Sequence, residues 1–244
     1  HHLDGASATN RTTMTAGEGG WWKGVIPSGP TTGTLVAFSV QATDGEGATA
    51  RFPSDAPARE CLVRYGETAD AGTLGVYRFW CTAANLAAWT ARSGDANDPV
   101  PVTFVYGNDR VEYRAGAVYG GSPFHNANYG SPVNSSGWVD YKFSFPKDAK
   151  VLDDDAIVLA SCSEDTTGIR EQYAYALVRR LGLPAMHRRY VRLYANGARM
   201  NPHGMTEDTE KPGGAALDHW FPDSAGNELF KLADWFEYPT NEYA

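Results

Sequence analysis

Apolar and polar positions alternate with a period of two over several stretches of the chain. Between Thr34 and Ala42, Val36, Phe38 and Val40 fall on one face, and Ala37, Ser39 and Gln41 fall on the other. That spacing predicts a half-buried strand. Asp44-Gly45-Glu46-Gly47 supplies a turn, and 48–52 can return as a hairpin before Pro53 ends it. Further strands are predicted at 75–81, 102–106 and 110–119, the last two joined by Gly107-Asn108-Asp109, residue types that tolerate positive φ. Val139, Tyr141, Phe143 and Phe145 alternate with Asp140, Lys142 and Ser144, and a short apolar run follows at 157–160. A strand at 190–194 leads into Asn196-Gly197, a strong hairpin signal.

One stretch carries the helical period instead. Ile169, Tyr173, Leu177 and Leu181 stand four residues apart, which predicts an amphipathic helix from about Asp165 to Leu181, ended by Gly182 and Pro184. A short helix after Trp80 can be capped by Thr82 and ended by Gly94, and another is predicted near 215–221. The remainder reads as connection: a frayed leader over 1–20, a linker over 54–72, a surface loop over 120–137, and mostly loop beyond Asn201. The expected fold is α+β, a twisted antiparallel sheet carrying one long amphipathic helix, preceded by a partial β-sandwich-like strand pair over 21–53.

Composition narrows the function classes. Among 244 residues, 7 Trp, 13 Tyr and 10 Phe argue for a folded chain. The net charge of −8, with Lys and Arg scattered, gives no electrostatic footprint for nucleic acid. No apolar run is long enough to span a membrane, and the first residues lack the charged and apolar regions of a signal peptide. Cys61, Cys81 and Cys162 lie far apart without CxxC spacing, which disfavours zinc and redox motifs and leaves either one disulfide or buried free thiols.

Several residues have chemical potential. Lys142 projects from a strand whose other face is apolar, and Glu171 falls in the first turn of the long helix; a strand lysine with a helix glutamate is how protein kinases hold ATP phosphates. The plain alternative is a solvated surface lysine. Neither GxSxG nor HExxH occurs, so a hydrolase lacks its usual local signature, and Ser122 near His125 is only a serine in a polar loop. Asp95, Asn97 and Asp98, and separately Asp153-Asp154-Asp155, offer oxygens for Ca²⁺ but not the EF-hand spacing. Trp21-Trp22 beside the leader raises a polysaccharide-binding surface.

A family resemblance joins these parts in order. The run 138–145, WVDYKFSF, resembles the sfKlkF strand of the CotH spore-coat kinase-like family. Ile169 to Tyr175 is similar to its lRe.layel helix, Leu181-Gly182-Leu183-Pro184 to its lG.pa ending, and Tyr190 to Gly197 to its fvrlylNGe segment. Asn227 to Lys231 followed by Asp234 to Glu237 resembles GeLyKa…wFe, and residues from Trp22 through Asp44-Gly45 are similar to the closing strands of an immunoglobulin-like module.

The resemblance implies a secreted, extracellular protein with a CotH-like N-lobe over 73–244, ATP and Mg²⁺ as cofactors, and Lys142 and Glu171 as the nucleotide pair. It also implies catalytic aspartates in a following lobe. No HRD-like or DFG-like constellation precedes Ala244, so the expectation is an inactive fragment with an apolar face near 229–236 open to self-association. One departure stands at Asn201-Pro202-His203-Gly204, where kinase members carry a GlY return strand. A non-catalytic module that binds polysaccharide or a secreted protein is the alternative from another class, and an unrecognised hydrolase is a third reading.

Overall fold

The structure, a computed structural model, describes residues 1–27, 31–67, 69–92, 96, 98–120, 138–162, 165, 167–201, 203–223, 226 and 228–230. Ser122, His125, Asp95, Asn97, Gly94 and most of the 229–236 segment lie outside the described residues. In chain order the strands are β1 (His2–Leu3), β2 (Thr15–Ala16), β3 (Trp22–Lys23), β4 (Leu35–Phe38), β5 (Val40–Thr43), β6 (Thr49–Phe52), β7 (Cys61–Arg64) and β8 (Gly75–Trp80). They continue as β9 (Val100–Tyr106), β10 (Arg110–Tyr119), β11 (Tyr141–Ser144), β12 (Ala156–Ala160), β13 (Arg188–Ala195), β14 (Ala198–Arg199) and β15 (Thr206–Thr209). The helices are α1 (Ala83–Ala91), α2 (Arg170–Arg180) and α3 (Gly214–Trp220).

The main sheet is mixed α/β in setting and closed on itself. Strands run β13-β15-β12-β11-β10-β9-β8 by antiparallel pairing, and β8 returns to β13 in parallel, with Val191 to Ala195 beside Gly75 to Phe79. The expected twisted antiparallel sheet is therefore corrected to a seven-stranded, barrel-like sheet closed by one parallel pairing. Closure removes the exposed sheet edges that an open form would leave.

Inward alternation fills this barrel with aromatic rings. Phe104 and Phe143 stand 4.9 Å apart, Phe79 and Phe143 5.2 Å, and all three are fully buried with Leu159, Val191 and Leu193. Trp89 of α1 packs into the same cluster. That helix begins where Thr82 Oγ1 accepts from Asn85 N at 3.1 Å, as its sequence predicts. The apolar face of Val139, Tyr141, Phe143 and Phe145 is buried as read.

A smaller sheet, β1-β4-β7, packs outside β8 and β9, with Ala37, Leu62, Trp80 and Val105 forming a second core. Thus the stretch read as a linker contains β7, whose Cys61 and Leu62 are buried, and the stretch read as a leader contributes β1. Backbone pairing orders both despite Gly- and Pro-rich flanks. The β5–β6 hairpin turns where Asp44 Oδ1 accepts from Glu46 N and Ala48 N.

Two further differences concern the region after the barrel's midpoint. The long helix is shorter than its periodicity implies, because Gly168 takes φ +67° and Thr167 and Gly168 form a turn held by Asp165 instead. Its stripe is also turned outward: Ile169, Tyr173, Leu177 and Leu181 are exposed, while Gln172, Tyr175 and Val178 are half-buried. The apolar stripe of α2 therefore does not pack against the sheet. Beyond Asn201, where loop is expected, β15 inserts between β12 and β13. None of the described helices is long and apolar enough to cross a membrane.

Candidate functional site

The outer face of the barrel over β11, β12, β15 and β13 carries most of the ionisable groups of interest. Alternation sets Tyr141 and Phe143 inward, so Lys142 points outward, exposed, beside Val118 of β10 and Val158 of β12. Among the described residues Lys142 forms no ion pair. The register then places Thr209 beside Val158 and Arg188 beside Thr209. Two residues further along, and so on the same face, Asp140 falls level with Ala160, which pairs with Glu207, which pairs with Tyr190.

Above this face sits the first turn of α2. Asp165 organises it: Oδ1 accepts from Thr167 N at 2.9 Å and Thr167 Oγ1 at 2.6 Å, and Oδ2 accepts from Arg170 N at 2.6 Å. These donors, the threonine hydroxyl foremost, hold the Asp165 carboxyl well below the usual carboxylate range. Tyr190 donates its hydroxyl to the Gly168 carbonyl, tying the turn to β13.

Sequence reasoning pairs Glu171 with Lys142; here the cation at Glu171 is Arg188. Arg188 also donates Nε to Glu207 Oε2 at 3.0 Å and lies 4.8 Å from the centre of the Tyr175 ring. Burial works against the guanidinium charge, but the bond to Glu207 and the fields of Glu207 and Glu171 outweigh it and raise the Arg188 pKa. Lys142 and Glu171 thus share one face of the sheet, with Arg188 occupying the glutamate.

Between helix and sheet lies a recess of about 130 Å³ lined by Asp140, Ala160, Cys162, Arg170, Glu171 and Glu207 among others. Glu207 is 1% exposed, and its Oε1 is buried with no hydrogen-bond partner. Sequence reasoning missed Glu207, because Thr206-Glu207-Asp208-Thr209 has no apolar alternation to mark a strand. Both its faces are polar because Asp208 turns inward, where Tyr77 Oη donates to it at 2.5 Å and Arg189 Nε at 3.0 Å.

Other sequence candidates are accounted for differently. Asp154 Oδ1 accepts from Asp155 N at 2.7 Å within a tight turn, and Asp155 pairs with Lys211 at 3.0 Å. Among the described residues no group of three or more His, Cys, Asp or Glu is arranged to hold a metal. The cysteines are free; burial pushes each thiol up to about 12, so none is poised as a thiolate nucleophile.

Residues 139–234 match the family model described as CotH kinase protein. This stretch is similar to the CotH kinase family. The CotH-like segment opens at the strand bearing Lys142 and takes in β12, α2, β13, β15 and α3, so the face just described lies within it. Strands β8 to β10, which complete the barrel, precede it. No curated protein matches the chain.

The residues present fit the cofactors that the family implies to the extent that an exposed lysine stands on the same sheet face as a recess rich in carboxylates. Lys142 would meet phosphate oxygens, and the carboxylates would meet a magnesium ion that shields phosphate charge.

Proposed function

We propose that this chain is a nucleotide-binding, kinase-like module of an extracellular protein, taking Mg²⁺ and ATP on the outer face of β11 beside α2. The observation that carries the reading is Lys142: a strand lysine of the CotH-like segment, exposed, without an ion pair among the described residues, and facing the same side as the first turn of α2. A lone ammonium flanked by Val118 and Val158 offers a phosphate a charge partner with little competition.

Glu171 is the second member of the pair. Its side chain is 55% exposed and reaches the sheet through Arg188. In the nucleotide-bound form Glu171 turns from Arg188 to Lys142, and Glu207 retains the guanidinium. Glu171 then fixes the ammonium where the phosphates arrive, while Arg188 keeps a buried partner.

Thermal denaturation with and without Mg-ATP tests this. Ligand at 100 times its dissociation constant adds about 2.7 kcal/mol to stability, so the wild type gains several degrees and Lys142→Ala gains little. Absence of any nucleotide-dependent shift in the wild type contradicts the proposal.

A second reading rests on Trp21 and Trp22, which are 75% and 63% exposed near the β2–β3 hairpin. Exposed indoles stack on sugar rings, so this hairpin binds polysaccharide in that reading. Retention on cellulose, xylan or chitin that Trp21→Ala and Trp22→Ala abolish supports it; the absence of retention on all three removes it.

A further inference from the structure

We propose that the recess between α2 and the sheet is a divalent-cation site, with Asp140 and Glu207 as its protein ligands. The two carboxylates belong to one row across the sheet, separated by Ala160. Strand spacing of about 4.8 Å puts their backbones roughly 10 Å apart. A methyl side chain between them leaves room for both carboxylates to lean toward a common ion.

The unpartnered oxygen carries the argument. Asp140 Oδ1 accepts from Ser161 N at 2.6 Å, which fixes that carboxylate at the rim. Glu207 has one oxygen on Arg188 and the other, Oε1, buried and unbonded in the wall of the recess. A buried acceptor left without a donor is costly, and a hydrated cation relieves it with charge and with bound water.

The charge around the space also selects a dication. Asp140, Asp165, Glu171 and Glu207 face Arg170 and Arg188 there, an excess of two negative charges. Asp165 and Glu171 are already engaged, by the turn amides and by Arg188, and are not assigned as ligands. Carboxylate oxygens favour Mg²⁺, Mn²⁺ or Ca²⁺ over thiophilic ions.

Two carboxylates do not make a cage, so water fills the remaining positions. A site of this kind typically completes its sphere with substrate phosphates. Only that last step rests on the nucleotide reading; it would bring the ion and the phosphates near Lys142 to one face of the sheet.

Mn²⁺ is the probe. Titration followed by electron paramagnetic resonance, without nucleotide, is expected to show one saturable site per chain in the range of about 10⁻⁴ to 10⁻³ M, displaced by Mg²⁺ or Ca²⁺. Asp140→Asn is expected to weaken it by about tenfold or more, and Glu207→Gln to remove it. Since Glu207→Gln also disturbs Arg188, Ala160→Leu, which fills the cradle without changing charge, serves as the second variant and is expected to abolish binding.

No saturable Mn²⁺ up to roughly 10 mM, well above the range such weak sites occupy, overturns the proposal. So does unchanged affinity in folded Asp140→Asn and Ala160→Leu. Mn²⁺ binding without any nucleotide-dependent stabilisation leaves the cation site standing and removes the nucleotide reading. Nucleotide stabilisation beside unchanged Mn²⁺ affinity in those variants does the reverse.

Discussion

Arg188 donates Nε to Glu207 Oε2 at 3.0 Å across the outer face of the barrel, with 9% of one side chain and 1% of the other exposed. Removing one partner of a buried pair leaves an uncompensated charge, which costs about 3–5 kcal/mol, whereas replacing both by apolar groups costs far less. Arg188→Ala is therefore expected to lose about that much in urea denaturation. The double variant Arg188→Met, Glu207→Leu is expected to recover most of it. A loss below about 1 kcal/mol in the single variant contradicts the buried pair.

The closed barrel and the outward stripe of α2 separate two apolar sites that a helical wheel or strand pattern treats alike. Phe143 is fully buried among Phe79, Phe104 and Tyr141, so Phe143→Ala is expected to cost about 3–5 kcal/mol. Leu177 is 42% exposed, and Leu177→Ala is expected to cost less than about 1 kcal/mol. Comparable losses from the two substitutions, measured in one denaturant series, would contradict the orientation of α2.

Acid stability follows from two carboxylates. Asp165 is held below the usual range by the Thr167 hydroxyl and by the Arg170 and Thr167 amides; Asp70 is held below it by the Tyr194 hydroxyl and the Gly72 amide. A depressed folded-state pKa contributes stability that is full above the unfolded value, about 4, and is lost as pH falls through the folded value. The urea midpoint is expected to be level from about pH 7 to 5 and to fall below about pH 4. Asp165→Asn is expected to lower the plateau and shallow the fall. Parallel acid profiles for wild type and variant contradict the role given to Asp165.

Strand positions inside the barrel were legible because alternation records burial: Val139, Tyr141, Phe143 and Phe145 declare their face. The Asn196-Gly197 hairpin was legible for a local reason, since both residues adopt positive φ, 45° and 83°. Closure of the barrel was not, because the parallel β8–β13 pairing joins residues over 100 positions apart and leaves no periodic mark. Glu207 was hidden for a related reason: β15 is polar on both faces and is held by neighbours on each side. Periodicity found α2 but misassigned its buried side, as Arg188 and Tyr175 anchor the helix where the sequence offers Leu177 and Tyr173.

The most direct test of a nucleotide at the β11 face is the reactivity of Lys142 itself. Brief acetylation followed by peptide mass spectrometry, with and without Mg-ATP, reads Lys142 against Lys147, Lys150 and Lys211 in the same sample. Mg-ATP is expected to suppress modification of Lys142 several-fold while leaving the three reference lysines unchanged. Equal modification of Lys142 in both conditions, at a nucleotide concentration of roughly 10 mM, well above typical substrate affinities, contradicts a phosphate site at this lysine.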